Sequence, residues 1–205
     1  CFPEKDFAPK LAKRIAAYGC NIVRLHQIDS EWATPSIYQY KKGKRLENTS
    51  TYDPESFDRM DYLLKCLKEE GIYVYLDMMT YRKFKSGDGI ELAKELKDSA
   101  KPYSIINRRM IELQKEFCDQ IWNRYNPYTE MLYKEDPVFA MTEITNECDL
   151  ITNNCDIPEG QPGHSYSMEV RLLFRDWLAE RGIHPLLLQS LLRELLSHLT
   201  VMRMP

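Results

Sequence analysis

The sequence predicts an α/β fold built on a parallel sheet, and three observations carry that prediction. Segments whose apolar residues recur at helical spacing alternate with short apolar runs that end in polar groups. Strand–helix alternation of this kind implies parallel strands joined by helical crossovers. Gly19 and Gly71 close the first two helical patterns, as glycine does at helix ends. Finally, 205 residues with 43% apolar and 29% charged content match a soluble globular domain long enough to bury a core.

In chain order, Leu11, Ala12, Ile15 and Ala16 mark a first helix, with Lys13 and Arg14 opposite. Asn21–His26 reads as a strand, with Ile22, Arg24 and His26 on one face and Asn21, Val23 and Leu25 on the other. Arg24, in a short apolar strand feeding a loop, is expected to be a buried cation with a carboxylate partner; an edge charge is the alternative. Residues 27–50 form a long connection holding Trp32, Tyr38, Tyr40 and the basic run 41–45. Such connections are functional or disordered. Exposed aromatics suit sugar faces, whereas the basic run reads as a solvated charge cluster.

Asp53-Pro54 opens the next helix as N-cap and first-turn proline. Phe57, Met60, Asp61, Leu64, Leu67 and Lys68 then follow helical period. Ile72–Leu76 is the second strand, with Asp77 at its carboxyl end, and a second long loop carries Tyr81–Phe84 and Gly87–Gly89. A helix from about Arg108 to Arg124 precedes the turn 126–136. A last helix, about Ser165 to Arg181, carries Val170, Leu173, Phe174, Trp177 and Leu178.

The third strand ends in the most informative stretch, Asp136-Pro137-Val138-Phe139-Ala140-Met141-Thr142-Glu143-Ile144-Thr145-Asn146-Glu147. Period-two counting puts Phe139, Met141, Glu143, Thr145 and Glu147 on one face. An acidic residue has no packing reason to share a face with Phe and Met, so Glu143 and Glu147 need partners or a job. A carboxyl group at a strand's carboxyl end, partly desolvated, can keep its proton near neutral pH and donate it. A strand followed by a helix-capping Asn-Glu pair accounts for the same residues.

Net charge of −3 gives no reason to expect nucleic acid or an anionic membrane as partner, and no apolar run reaches the length of a membrane span. The six cysteines show no paired C-x-x-C spacing, which argues against structural zinc. Cys66 and Cys118 fall in helical patterns as small core residues; Cys148 and Cys155 share a loop, either paired or free. His164 and His184 have no metal-ligand spacing. The chain starts at Cys1 without methionine, so its native N-terminus is expected to lie upstream.

Ile144-Thr145-Asn146-Glu147 resembles the signature of the fourth barrel strand in the retaining (β/α)8 glycoside hydrolases of the cellulase and mannanase type, clan A. Three further segments match in order: Cys20–His26, Gly71–Asp77, and Asn126-Pro127-Tyr128-Thr129 ahead of Tyr133–Pro137. The resemblance implies a partial (β/α)8 TIM barrel, about strands two to four with their helices, over residues 1–182. Residues 183–205 read as a leucine-rich helical tail of uncertain origin. A complete barrel needs eight strands and about 250 residues, so the chain is expected to be a piece of a longer protein.

By the same resemblance Glu147 is the acid/base and Asn146 binds the sugar hydroxyl beside the reacting carbon. Arg24 matches the arginine that keeps the nucleophile ionised, and His26 and Asp77 fall where substrate contacts are made, a hydrogen-bonded histidine at a strand end being the alternative for His26. Glu143 reads as a structural acceptor inside the barrel and Tyr128 as packing. The family's nucleophile is a glutamate at the end of strand seven; Glu194, in a leucine-rich pattern, is a poor substitute. The implied parent hydrolyses β-linked glycans through a covalent intermediate without metal or organic cofactor, and this piece alone is expected to be inactive. A secreted or periplasmic parent is compatible with that role. Oligomeric state, sugar and linkage are not encoded in these motifs. A non-catalytic carbohydrate-binding barrel and a generic α/β domain remain as alternatives.

Overall fold

The computed structural model describes residues 2–33, 35–41, 44–45, 47–96, 100–150, 156–184 and 187, with backbone alone at 40, 41, 44 and 45. In chain order the elements are helix α1 (Ala8–Ala17), strand β1 (Ile22–Leu25), and short strands β2 (Tyr40–Lys41) and β3 (Lys44–Arg45). Helix α2 (Pro54–Glu69) and strand β4 (Tyr73–Met79) follow, then short helices α3 (Ala93–Leu96) and α4 (Ala100–Tyr103) and the longer α5 (Arg108–Trp122). Short strands β5 (Tyr125–Asn126) and β6 (Met131–Leu132), strand β7 (Phe139–Thr145) and helix α6 (His164–Glu180) complete the order. Strands β1, β4 and β7 form one parallel sheet in that order. The pairs β2–β3 and β5–β6 are small antiparallel hairpins inside segments the sequence reads as loop. Chain contacts divide the protein into two compact units, Cys1–Cys155 and Asp156–Pro205.

Local sequence explains the first unit. Asp53 stays extended and its carboxylate accepts from the Ser56 N–H at 3.0 Å, so α2 starts where the Asp-Pro pair says. Gly71 ends it in the left-handed region, φ +71°, a conformation glycine adopts without penalty. Val74, Leu76 and Met78, alternating along β4, are buried in one apolar cluster with Met60, Leu64 and Leu67 of α2. Each fully buried side chain of this kind contributes about 1.5–3 kcal/mol, so Leu64→Ala at the centre should cost about 2–5 kcal/mol. Cys66 is buried and Cys118 half-buried in their helices, both as free thiols.

Two expectations change. Val74 pairs with Phe139, but Tyr75 pairs with Met141, so β7 carries one extra residue at Ala140. The bulge turns Phe139 to the helix-covered face, where its ring meets Trp122 at 5.3 Å and Tyr133 at 5.0 Å. Met141 and Glu143 stay on the opposite, inner face, in register with Tyr75 and Asp77. Strand β4 also runs on to Met79, so Asp77 lies inside the strand and not at its end.

Where the chain enters β7, Asp61 of α2 gathers a network. Arg124 donates through Nε at 2.9 Å and through a short Nη2 bond, Tyr133 donates its hydroxyl at 2.5 Å, and the guanidinium sits 4.2 Å from the Phe57 ring centre. Asn126 donates to the Asp61 carbonyl at 3.0 Å, and Tyr128 packs edge-on against Tyr62 at 5.2 Å. At the other end of the strands, Asp29 in the loop after β1 accepts from the N–H groups of Thr80 (2.8 Å) and Tyr81 (3.1 Å) after β4, and from the Thr80 hydroxyl. Burial raises the Asp29 pKa against the pull of those bonds.

The second unit contains α6. Tyr166, Ser167 and Leu178 are buried, and Ser167 Oγ accepts from the Ile157 N–H at 2.7 Å. Of the helix's apolar set, Leu173, Phe174 and Trp177 are exposed. The boundary drawn at residue 182 falls inside this unit. Cys155, Glu194 and all of the leucine-rich segment except residues 183, 184 and 187 lie outside the described residues. Among the described residues no helix is long and apolar enough to cross a membrane.

Candidate active site

The inner face of the sheet places Arg24 beside the Tyr75 row and Asp77 beside Glu143. Arg24 uses this geometry fully. Its Nε lies 2.8 Å from Asp77 Oδ2, and its Nη2 lies 2.6 Å from Glu143 Oε2 and 3.1 Å from Asn146 Oδ1. The guanidinium carbon is 5.1 Å from the centre of the Tyr75 ring. The expected carboxylate partners are therefore present, two of them, but the side chain is 41% exposed and not buried. The inner face of the sheet is open, so water reaches it.

Asp77 is the reverse case. Its carboxyl group has no accessible surface, so it acts on its neighbours and cannot meet a ligand as placed, contrary to the role expected of it. Oδ2 takes both Arg24 and a short hydrogen bond from His26 Nδ1. An ionised carboxylate only accepts, so the His26 tautomer with its proton on Nδ1 is the one this contact selects. Oδ1 is buried with no hydrogen-bond partner among the described residues, a rare condition that calls for an explanation.

Glu143 accepts from Arg24 and, at 3.0 Å, from the Tyr75 hydroxyl, the structural-acceptor role read from parity. The bond to Glu143, reinforced by desolvation and the carboxylate's charge, pushes the Tyr75 pKa up. Asn146 is buried, its N–H donates to the Met79 carbonyl at 2.8 Å, and its side-chain oxygen is held by Arg24. The amide nitrogen is thereby turned away from the guanidinium. Cys148 is a buried free thiol donating to the Asn146 carbonyl at 3.3 Å, and burial raises its pKa.

Glu147 follows the strand with φ +53°, a left-handed backbone that a non-glycine residue holds at a cost of about 1–2 kcal/mol. Its side chain is 71% exposed, and its carboxylate lies 3.4 Å from Lys101 Nζ. Lys101 is itself nearly buried, with its ammonium 4.4 Å from the centre of the Tyr81 ring. Strained backbone of this kind clusters at functional sites. Sequence reasoning missed Tyr75, whose place two residues before Asp77 was a usable signal. It also missed Lys101, for which no local pattern exists. His164 donates through Nδ1 to the Ile157 carbonyl at 2.7 Å, as a packed histidine would.

A groove of about 630 Å³ lies instead against α5 and the end of β7, lined by Ile105, Ile111, Cys118, Trp122 and Ile144 among others. It holds none of Arg24, Asp77, Glu143 or Glu147, and although Lys115, Asp119 and Lys134 border it, the surface it exposes is mostly apolar. The polar inner face is the better candidate, because charged groups and an unsatisfied buried oxygen converge there, with strained Glu147 one residue beyond Asn146. No cluster of three metal-ligating side chains occurs among the described residues.

No protein-family model matches the chain, and no curated protein matches it. Solved structures do. A glycoside hydrolase family 5 mannosidase from Rhizomucor miehei superposes with a TM-score of 0.50 at 20% identity, over 69% of this chain and 38% of its own. An endo-1,4-β-mannanase from the same organism gives a TM-score of 0.50 at 18% identity, over 71% of this chain and 40% of its own. The chain thus spans about two fifths of the length of these structures. At such identities the likeness is one of fold, and it matches the barrel resemblance read from the motifs: the chain is an α/β protein whose parallel sheet and helices form part of a (β/α)8 barrel.

Proposed function

We propose that the protein to which this chain belongs hydrolyses β-glycosidic bonds in poly- or oligosaccharides with retention of configuration, using Glu147 as acid/base. The observation that supports this most is Asn146-Glu147 at the carboxyl end of β7, with the Asn146 amide held by Arg24 at 3.1 Å. In this reading Glu147 protonates the departing sugar oxygen while a second carboxylate attacks the anomeric carbon. Glu147, now ionised, then takes a proton from the water that releases the glycosyl-enzyme. Asn146 binds the hydroxyl next to the reacting carbon, a contact that strengthens in the transition state. Arg24 orients Asn146 and supplies positive charge to the carboxylates around it.

The nucleophile is assigned by resemblance to a seventh barrel strand, and by the same resemblance the neighbouring strands β1, β4 and β7 are read as the second, third and fourth. The desolvation Glu147 needs to act as an acid would then come from the elements that close the barrel and from the substrate. The 205-residue chain alone is therefore expected to be inactive. Assaying the parent on mannan, glucan and galactan oligosaccharides should give turnover on at least one, lost in Glu147→Gln. Turnover of aryl β-glycosides by the isolated chain, abolished by the same substitution, would overturn the claim of inactivity.

One observation favours a second reading, a barrel that binds sugar without cleaving it. Glu147 faces solvent with a lysine ammonium at 3.4 Å, an arrangement suited to holding hydroxyl groups. A parent protein that binds these oligosaccharides and turns none over supports the binder.

A further inference from the structure

We infer that Trp32 and Tyr81 form a stacking platform for one pyranose ring of a β-linked glycan, a subsite beside Glu147. The inference rests on the carbohydrate reading of the site, not on hydrolysis. Trp32, in the loop after β1, meets Tyr81, in the loop after β4, edge to face with ring centres 4.6 Å apart. It remains 51% exposed.

Scattered exposed aromatics need no explanation, but this one is held in place. Its indole N–H donates to Gln27 Oε1 at 3.0 Å, and Gln27 keeps a left-handed backbone, φ +59°. The Tyr81 N–H is tied to buried Asp29, which joins the two loops that carry the rings. Glu31, next to Trp32 in sequence, is paired with Lys85 at 2.7 Å and adds hydroxyl-binding polarity to the same loop.

Position supplies the link to chemistry. Lys101 lies over Tyr81 at 4.4 Å and reaches Glu147 at 3.4 Å, so the platform and the proposed acid/base share one lysine. An aromatic face carries partial negative charge, and the C–H groups of a pyranose face carry partial positive charge, the pairing that makes aromatic platforms attract polarised or cationic groups. Rings fixed before binding lose little freedom when the sugar arrives. A glycan with one unit on Trp32 would have a neighbouring unit near the carboxylate.

The test is titration of the 205-residue chain with β-1,4-linked mannose and glucose tetrasaccharides, followed by tryptophan fluorescence and calorimetry. The expected result is saturable binding to at least one, weakened about tenfold or more in Trp32→Ala and less in Trp32→Phe, with Trp177→Phe as the signal control. Urea midpoints matching the unsubstituted chain show that the variants fold; if Trp32→Ala does not fold, Trp32→Phe decides, and it must bind more weakly than the unsubstituted chain. Absence of saturable binding, or unchanged affinity in the Trp32 variants, overturns the platform. Binding that depends on Trp32 together with a parent that cleaves nothing sinks the hydrolase reading and leaves the platform. Cleavage with no Trp32 effect does the reverse.

Discussion

Two arginine–carboxylate networks, one at each end of the same sheet, use similar residues to opposite effect. Where the chain enters β7, buried Asp61 has both oxygens occupied by Arg124 and Tyr133, and an aromatic ring covers the cation. Toward the carboxyl end, Asp77 is equally buried, but one oxygen has no partner among the described residues and its arginine is open to water. Burial, carboxylate and arginine are common to both. The difference lies in saturation and exposure, and these separate a network that stabilises from one poised to act on something else.

The comparison breaks most easily at Asp61. Asp61→Asn leaves Arg124 without its counter-charge in a half-buried setting and should cost about 3 kcal/mol, read as a lower urea midpoint with unchanged slope. A loss under 1 kcal/mol would mean the saturated network is not the stabilising one.

Acid should act on the same end. Hydrogen bonds from Tyr128 and Lys5 depress the Asp58 pKa, and Lys68 with the Val138 N–H depresses that of Asp136 against its own desolvation. A depressed folded pKa means the unfolded chain takes up protons first. The stability these groups give is therefore present above about pH 4, the ordinary carboxylate value, and is lost as pH falls through the lower folded values. Denaturation midpoints from pH 6 to pH 2 should fall below about pH 4, and Asp58→Asn with Asp136→Asn should flatten that fall. An equally steep fall in the double variant would place the acid sensitivity elsewhere.

Asp77→Asn should cost less than Asp61→Asn, about 1 kcal/mol, because one of its oxygens is already unsatisfied and an amide oxygen can still accept from Arg24. In nitrogen chemical shifts the same variant should weaken the preference of His26 for the Nδ1–H tautomer. An unaltered tautomer would show that Asp77 does not orient the ring.

The smallest effect has the opposite sign. Glu147→Gly removes a left-handed backbone penalty and should raise stability by about 0.5–1 kcal/mol while abolishing turnover in the parent. Gly71→Ala, at φ +71°, should lose a similar amount. Destabilisation by Glu147→Gly would mean its contact with Lys101 outweighs the strain.

Much of this was legible in the chain. The Asp53-Pro54 start of α2, the stops at Gly19 and Gly71, the three sheet strands and the alignment of Arg24 with acidic partners all follow from local chemistry and parity. The bulge at Ala140 was not, because a strand with apolar residues on both faces gives parity nothing to contradict. Full burial of Asp77 was hidden too, since period two gives a side chain's direction and not what covers it. Lys101 comes from a short helix in a long loop, where no periodicity links it to a residue far along the chain. The fold was thus readable from repeated local signals, and the site only where its residues sit on strands.

The central claim is that Glu147 donates the proton, and leaving-group dependence in the parent protein tests it most directly. With Glu147→Gln, alkyl β-glycosides, whose oxygen must be protonated to depart, should lose about 10²–10⁴ in kcat/KM. Dinitrophenyl β-glycosides, which leave without a proton, should form the glycosyl-enzyme at close to the unmodified rate. Equal losses on both substrates, or none on either, would contradict the assignment.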